Sequence, residues 1–337
     1  MRIVFCGSGS LAVPILAAVA GAGHQVLEVF TQPPRQSGRG RHLQPTPVAR
    51  AAADLNLPVQ ECSAINASQA CEHLKALAPD VIVVADYGQF IKDPTCATAR
   101  HGAFNVHASL LPELRGAAPI NWAIIRGFAR TGVTTFSLVP RMDAGDIYLQ
   151  EATDIDPGET AEDLAARLAT MGANLAVRTL DLLAAGNATR TPQDEAKATL
   201  APPLTKADGV IDWSADAVTI RNRIHGTWPW PGAQTTLRRA DGREQPVIIA
   251  RAEAIEDPGC HGGRSSAAML AQNDQGHGGA ETAAMAPGQC GVLLDDLTVA
   301  AGSGRVRIIE LKPAGKRLMD WQSFVNGAHP KPGERMV

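Results

Sequence analysis

"DVIVVADYG", residues 80–88, sets the architecture of the first half of the chain. Five apolar residues follow one another, Val81 to Ala85, between an Asp and an Asp-Tyr-Gly turn. A strand apolar at successive positions has both faces buried, which is what a parallel sheet covered by helices demands. Its neighbours in sequence agree. "RIVFCG" (2–7), "QVLEVFT" (25–31), "GAFNVH" (102–107) and "GVTTFSLV" (132–139) read as further strands. Helical runs lie between them at Leu11–Ala22, "PVARAAADLN" (47–56) and "ASQACEHLKALA" (67–78). The alternation predicts an α/β fold with a doubly wound, mostly parallel, Rossmann-like sheet. Ligands of such sheets sit beyond the carboxyl ends of the strands.

"TAEDLAARLATMGANLAVRTLDLLAAG" (160–186) predicts a long helix. Thr160 and Asp163 form a capping box, Leu164, Leu168, Met171 and Leu175 an apolar stripe, and Gly186 the stop. A first domain is expected over residues 1–190, followed by a polar, proline-containing linker at 191–206. Beyond it, one helix in "SADAVTIRNRIHG" and several short strands with turn signals predict a small OB-like β-barrel over 207–337. A Gly, Ala, Ser and His-rich insertion near 257–289 reads as a mobile loop.

The chain has 337 residues, 45% of them hydrophobic and 19% charged, with a net charge of −3. No apolar run is long enough to span a bilayer, and the N-terminus reads as a strand rather than a leader, so no membrane and a cytoplasmic location are expected. Six cysteines are scattered without metal-like spacing, and no metal is expected. From Thr205 onward 15 Lys or Arg face 15 Asp or Glu. Any polyanion must therefore meet a local cluster, for which Arg221, Arg223, Arg238 and Arg239 are candidates.

Asn105 and His107 lie on alternate positions at a strand's end, so both point to the same side. Asp143, in "RMDAGDIY", follows the next strand, and strand exits predict that all three meet at one end of the sheet. An amide and an imidazolium can hold an oxygen as it becomes negative, and a carboxylate fixes the imidazole. The alternative is that these are satisfied turn residues. Ser109 lacks the elbow sequence that would activate a nucleophile, so the attacking group would belong to a substrate. "GSGS" (7–10) lacks the third glycine of a dinucleotide fingerprint and reads as a tight reversal or, less well, a nucleotide turn.

"NVHASLLPELRGAAPINWAI" (105–124) with "MDAGDI" (142–147) resembles the folate-dependent formyltransferases. "VFTQPPRQSGRGRHLQPTPVARAAADLNLPV", "LTKADGVIDWS", "WPWPGAQT" and "LKPAGKRLM" are similar to the methionyl-tRNA formyltransferases within that group, nearly along the whole chain. The resemblance implies 10-formyltetrahydrofolate as co-substrate, initiator methionyl-tRNA as acceptor, and no DNA. It implies that Asn105 and His107 hold the formyl oxygen and that Asp143 holds His107. Ser109, Leu110, Leu111 and Pro112 would line the folate site, and Tyr87 and Gly88 would offer backbone groups to the pterin. Arg35, Arg39 and Arg41, otherwise scattered charges of an exposed loop, would reach the tRNA. Leu114, Asp86 and the turn "GSGSLAVP" depart from the family's usual residues. A formyltransferase of amino-sugar nucleotides and a non-catalytic RNA-binding relative are the competing readings.

Overall fold

The structure, a computed structural model, describes residues 1–37, 42–256 and 289–337. The chain divides into two compact units. Unit 1 holds residues 1–119, 131–154 and 165–202, and unit 2 holds 120–130, 155–164 and 203–337.

Unit 1 begins β1 (Arg2–Gly7), α1 (Ala12–Gly21), β2 (Gln25–Thr31), β3 (Arg35–Ser37), β4 (His42–Gln44), α2 (Pro47–Asp54), β5 (Val59–Glu61) and α3 (Ser68–Leu77). It continues β6 (Val81–Ala85), α4 (Asp93–Cys96), β7 (Ala103–His107), α5 (Pro119–Ile125), β8 (Arg130–Ser137), β9 (Ile147–Asp154) and α6 (Ala161–Ala184), where α5, β8 and α6 cross the unit boundaries. One seven-stranded sheet runs β5-β2-β1-β6-β7-β8-β9. The five strands β5 to β7 pair parallel, which makes the sheet mostly parallel and Rossmann-like. β6 is buried at all five positions, as its unbroken apolar run requires. Two of the unit's helices start at side-chain caps: Thr46 Oγ1 accepts from the Ala49 amide at 3.0 Å ahead of Pro47, and Thr160 and Asp163 exchange bonds in a capping box.

β8 departs from the expected topology. It pairs antiparallel with β7, His107 opposite Thr134 and Phe104 opposite Ser137. The loop after β8 therefore starts beside Ala103, whose carbonyl accepts from the Leu138 amide at 3.0 Å, and not at the exit of β7. An apolar run fixes that a segment is a strand, and its direction comes from the connection.

Unit 2 contains α7 (Ala217–Thr227), β10 (Ala233–Arg238), β11 (Glu244–Ile255), β12 (Val299–Ala300), β13 (Arg305–Pro313), β14 (Met319–Asp320), α8 (Trp321–Ala328) and β15 (Arg335–Met336). The antiparallel path β12-β13-β11-β10-β15 is brought round by residues 292 and 293, which bridge to Arg335 and Val299, so the sheet is a nearly closed barrel. Its core packs Trp213, Ile220 and Ile224 against Leu237, Val247, Ile249, Val306 and Leu311. The insertion expected near 257–289 falls, but for Gln289, outside the described residues. The four arginines suggested as a cluster are engaged locally. Arg239, half-buried, pairs with the buried Glu334 at 3.0 Å, Arg238 pairs with Glu244, Arg223 donates to the Asp208 carbonyl and Arg221 to Asn222.

His225 on α7 is buried, 1% exposed, and its Nε2 accepts from the Ala252 amide at 3.1 Å. Its other ring nitrogen donates to the Pro157 carbonyl. Burial, with the Arg221 and Arg251 charges beside it, pulls its pKa down from 6.5 to about 4. The fold thus holds a neutral imidazole that the unfolded chain protonates below about 6.5. Stability from this group is complete above that pH and is lost as pH falls toward 4, by up to roughly 3 kcal/mol. All five tryptophans lie in unit 2, so urea unfolding followed by their fluorescence reports that unit. Between pH 7 and 4.5 the midpoint should fall more in the wild type than in His225→Gln, and equal losses would discount the histidine.

Candidate active site

β7 sends Phe104 and Val106 into the core and Asn105 and His107 to the other side. The Asn105 amide is half-buried, and no hydrogen bond joins it to a described residue. His107 is 6% exposed and meets the Phe136 ring edge to face at 6.3 Å. Its Nε2 lies 3.0 Å from the Leu114 carbonyl. A carbonyl only accepts, so this assignment puts a proton on Nε2 and leaves Nδ1 as the nitrogen that gains or loses one. Nδ1 faces Asp143 Oδ2 at 3.8 Å, close enough for ion pairing and too long for a direct hydrogen bond.

Asp143 reaches His107 although β8 ends elsewhere, because the 138–146 loop doubles back. The Ser137 amide donates to the Asp146 carbonyl at 2.9 Å, and a Cβ on Gly145 would stand 1.7 Å from the Ser137 carbonyl oxygen. That contact explains the glycine of Asp-x-Gly. Asp143 itself is left-handed at φ 49°, and its Oδ2 accepts from the Gly116 amide at 2.8 Å. One carboxylate oxygen therefore joins the Arg115-Gly116 turn to the histidine.

The Ser-Leu-Leu-Pro segment builds the opposite wall of this turn. Ser109 Oγ donates to the Glu113 carbonyl at 2.7 Å, and Thr134 Oγ1 donates to the Ser109 carbonyl and accepts from the Leu111 amide. Ser109 and Leu111 are buried, while Leu110 and Pro112 are half-buried. Leu114 occupies φ 60° with its side chain only 1% exposed. Its main chain, which presents the carbonyl to His107, is the part this site uses.

The parallel register Val84 opposite Asn105 puts the turn after β6 at the same end of the sheet as His107. There Tyr87 is buried, with its carbonyl taking the Gln32 amide at 2.9 Å, and Gly88 is exposed at φ 76°. Asp86 settles the glycine turn. Its carbonyl accepts from the Ser8 and Gly9 amides, both at 3.0 Å, and its carboxylate from the Leu11 amide. Amides so engaged leave no cradle for a phosphate, and the turn is a tight reversal.

One part of the site was not read from the sequence. Gln193 lies in the segment expected as a linker, yet residues 191–201 hydrogen-bond to unit 1 throughout: Thr191 with Ile147, Thr199 and Ala201 with Arg115, and the Ala118 amide with the Ala201 carbonyl. Gln193 Nε2 donates to the Asp143 and Gly145 carbonyls, both at 2.8 Å. Its Oε1 accepts from the buried Arg115 at 3.1 and 2.7 Å. Arg115 continues to Glu195 at 2.9 Å, which also takes the exposed Arg141. The two guanidiniums, Arg115 first, hold the Glu195 carboxyl below its ordinary range. The only sequence signal for this strap was its polar residues beside two prolines.

Comparison with known proteins gives the family. A model described as "Formyl transferase" matches residues 1–180 and one described as "Formyl transferase, C-terminal domain" matches 203–329. The chain is 39% identical to a methionyl-tRNA formyltransferase of Solibacter usitatus, over 100% of this chain and 98% of that one. It is also 39% identical to one of Moorella thermoacetica, over 99% and 98%. The chain belongs to the methionyl-tRNA formyltransferase family. Solved structures give the same fold: HypX from Aquifex aeolicus in complex with tetrahydrofolic acid, with a TM-score of 0.60 at 16% identity over 96% of this chain and 47% of that one. An N-formyltransferase from Helicobacter canadensis likewise has a TM-score of 0.60 at 14% identity, over 91% and 98%. Of the loop arginines carried over from this formyltransferase family, Arg35 is exposed on β3 and donates to Gln32. Arg39 and Arg41 lie outside the described residues.

Proposed function

We propose that this chain transfers the formyl group of 10-formyltetrahydrofolate to the α-amino group of methionyl-initiator tRNA in the cytoplasm, without a metal. The observation that carries the reading is the placing of Asn105 on the same side of β7 as His107, whose open Nδ1 faces Asp143 at 3.8 Å. That donor set suits a carbonyl oxygen gaining charge. With Nε2–H committed to Leu114, His107 can donate to that oxygen only through a protonated Nδ1, beside which the Asp143 carboxylate stands at 3.8 Å. The amine attacks the formyl carbon, its new C–N bond forms, and the bond from that carbon to N10 of the folate breaks. The proton lost by the amine ends on N10, carried by His107, Asp143 and water.

Leu110 and Pro112 would touch the folate, with Ser109 and Leu111 shaping their turn and Tyr87 and Gly88 meeting the pterin. Arg35, Arg39 and Arg41 would meet phosphates at the acceptor end. We assign unit 1, including residues 191–202 of the expected linker, to formyl transfer and residues 207–337 to tRNA binding.

Incubation of the purified protein with 10-formyltetrahydrofolate and charged initiator tRNA should release N-formylmethionine after deacylation. Binding of that tRNA should weaken steeply between about 50 and 200 mM salt, as phosphate contacts do. Transfer to an amino-sugar nucleotide with none to methionyl-tRNA would overturn the reading.

A further inference from the structure

We infer that Gln193 is a positioning residue for formyl transfer, holding the Asp143 loop in its working conformation; the inference rests on the function proposed above. Gln193 makes all four of the bonds its amide allows. Arg115 can only donate, so the amide oxygen must face it, and the two N–H groups must then face the Asp143 and Gly145 carbonyls. The orientation is settled by chemistry.

The loop needs such a tie. Asp143 is left-handed at φ 49°, a conformation that disfavours a residue with a Cβ. Gly145 is pressed against the Ser137 carbonyl. Nothing in Asp143's own side chain fixes its main chain, since Oδ2 is spent on the Gly116 amide and on facing His107. Gln193 grips the carbonyls on either side of Ala144, and through Arg115 it joins them to the turn that supplies the Gly116 amide. Both ends of the Asp143 contact are thereby set by one side chain. Arg115 is in turn held by Glu195.

Gln193→Glu keeps the shape and the Arg115 contact and replaces both donors with acceptors facing two carbonyls. We expect kcat to fall about 10- to 100-fold, with KM for either substrate changed less than about threefold because Gln193 touches neither. Gln193→Leu, which removes the donors without adding charge, should give a loss of the same order. In an Asp143→Asn background the Gln193→Glu loss should nearly vanish, since the residue acts through Asp143. Amide hydrogen exchange in the peptide 138–147 of the unliganded protein should speed up in both variants while the barrel's exchange stays as it is. Additive losses in the double variant, or unchanged exchange in 138–147, would overturn the inference and leave Gln193 a structural residue. A wild type that fails to formylate methionyl-tRNA, with exchange in 138–147 still controlled by Gln193, would defeat the functional reading and keep the loop assignment.

Discussion

His107→Ala should lower kcat for formyl transfer by about 10³-fold, the scale set by losing one preorganised donor to a developing oxyanion. The expectation follows from how few donors the site contains. Asn105 and His107 are the two polar side chains that β7 turns to this side, and Asn105 cannot supply a proton. His107 is 6% exposed and its Nε2–H is occupied by the Leu114 carbonyl, so truncation also leaves that carbonyl without its partner, at roughly 1–3 kcal/mol. Folding and catalysis are separated by measuring Tm and assaying well below it. Binding of initiator tRNA should change little, because the residue lies in the chemistry of the formyl group. A variant keeping kcat within about tenfold of the wild type would remove His107 from the oxyanion site.

Strands β1, β2, β6, β7 and β8 were legible because each is a short apolar run bounded by turn residues, whereas β3, β4, β5 and β9, which are polar or mixed, were not read. The pair on β7 was legible for the same reason, since a period of two fixes which side chains share a side. Asp143 was placed correctly near His107 by an argument that fails in detail. β8 runs the other way, and it is the doubling back of the loop at Gly145 that delivers the carboxylate. Direction and loop return depend on contacts between residues far apart in sequence, which a local pattern does not carry. Arg239 illustrates the same limit: it read as one of a cluster of arginines for a polyanion, but Glu334, 95 positions away, takes it into a part-buried ion pair. The strap at 191–202 was the least legible element. Its bonds are made by main chain and by single polar side chains, and these have no periodicity to betray them.

Asp143→Asn should cost about 10²-fold or more in kcat, with only a small change in Tm. The replacement has the same shape, and its amide oxygen can still accept from the Gly116 amide that Asp143 Oδ2 takes at 2.8 Å. What disappears is the negative charge 3.8 Å from His107 Nδ1. With it goes the charge that faces the open nitrogen as it takes part in proton transfer, which is why the loss should appear in kcat and much less in the KM of either substrate. If Asp143 acts through His107, the two losses cannot add. The double variant His107→Ala with Asp143→Asn should be about as slow as His107→Ala alone, as happens when residues work as one unit. A double variant slower by the product of the two losses would mean that the carboxylate meets the reacting amine or N10 on its own account. The proton path would then run through Asp143 directly, leaving His107 only the oxygen to hold.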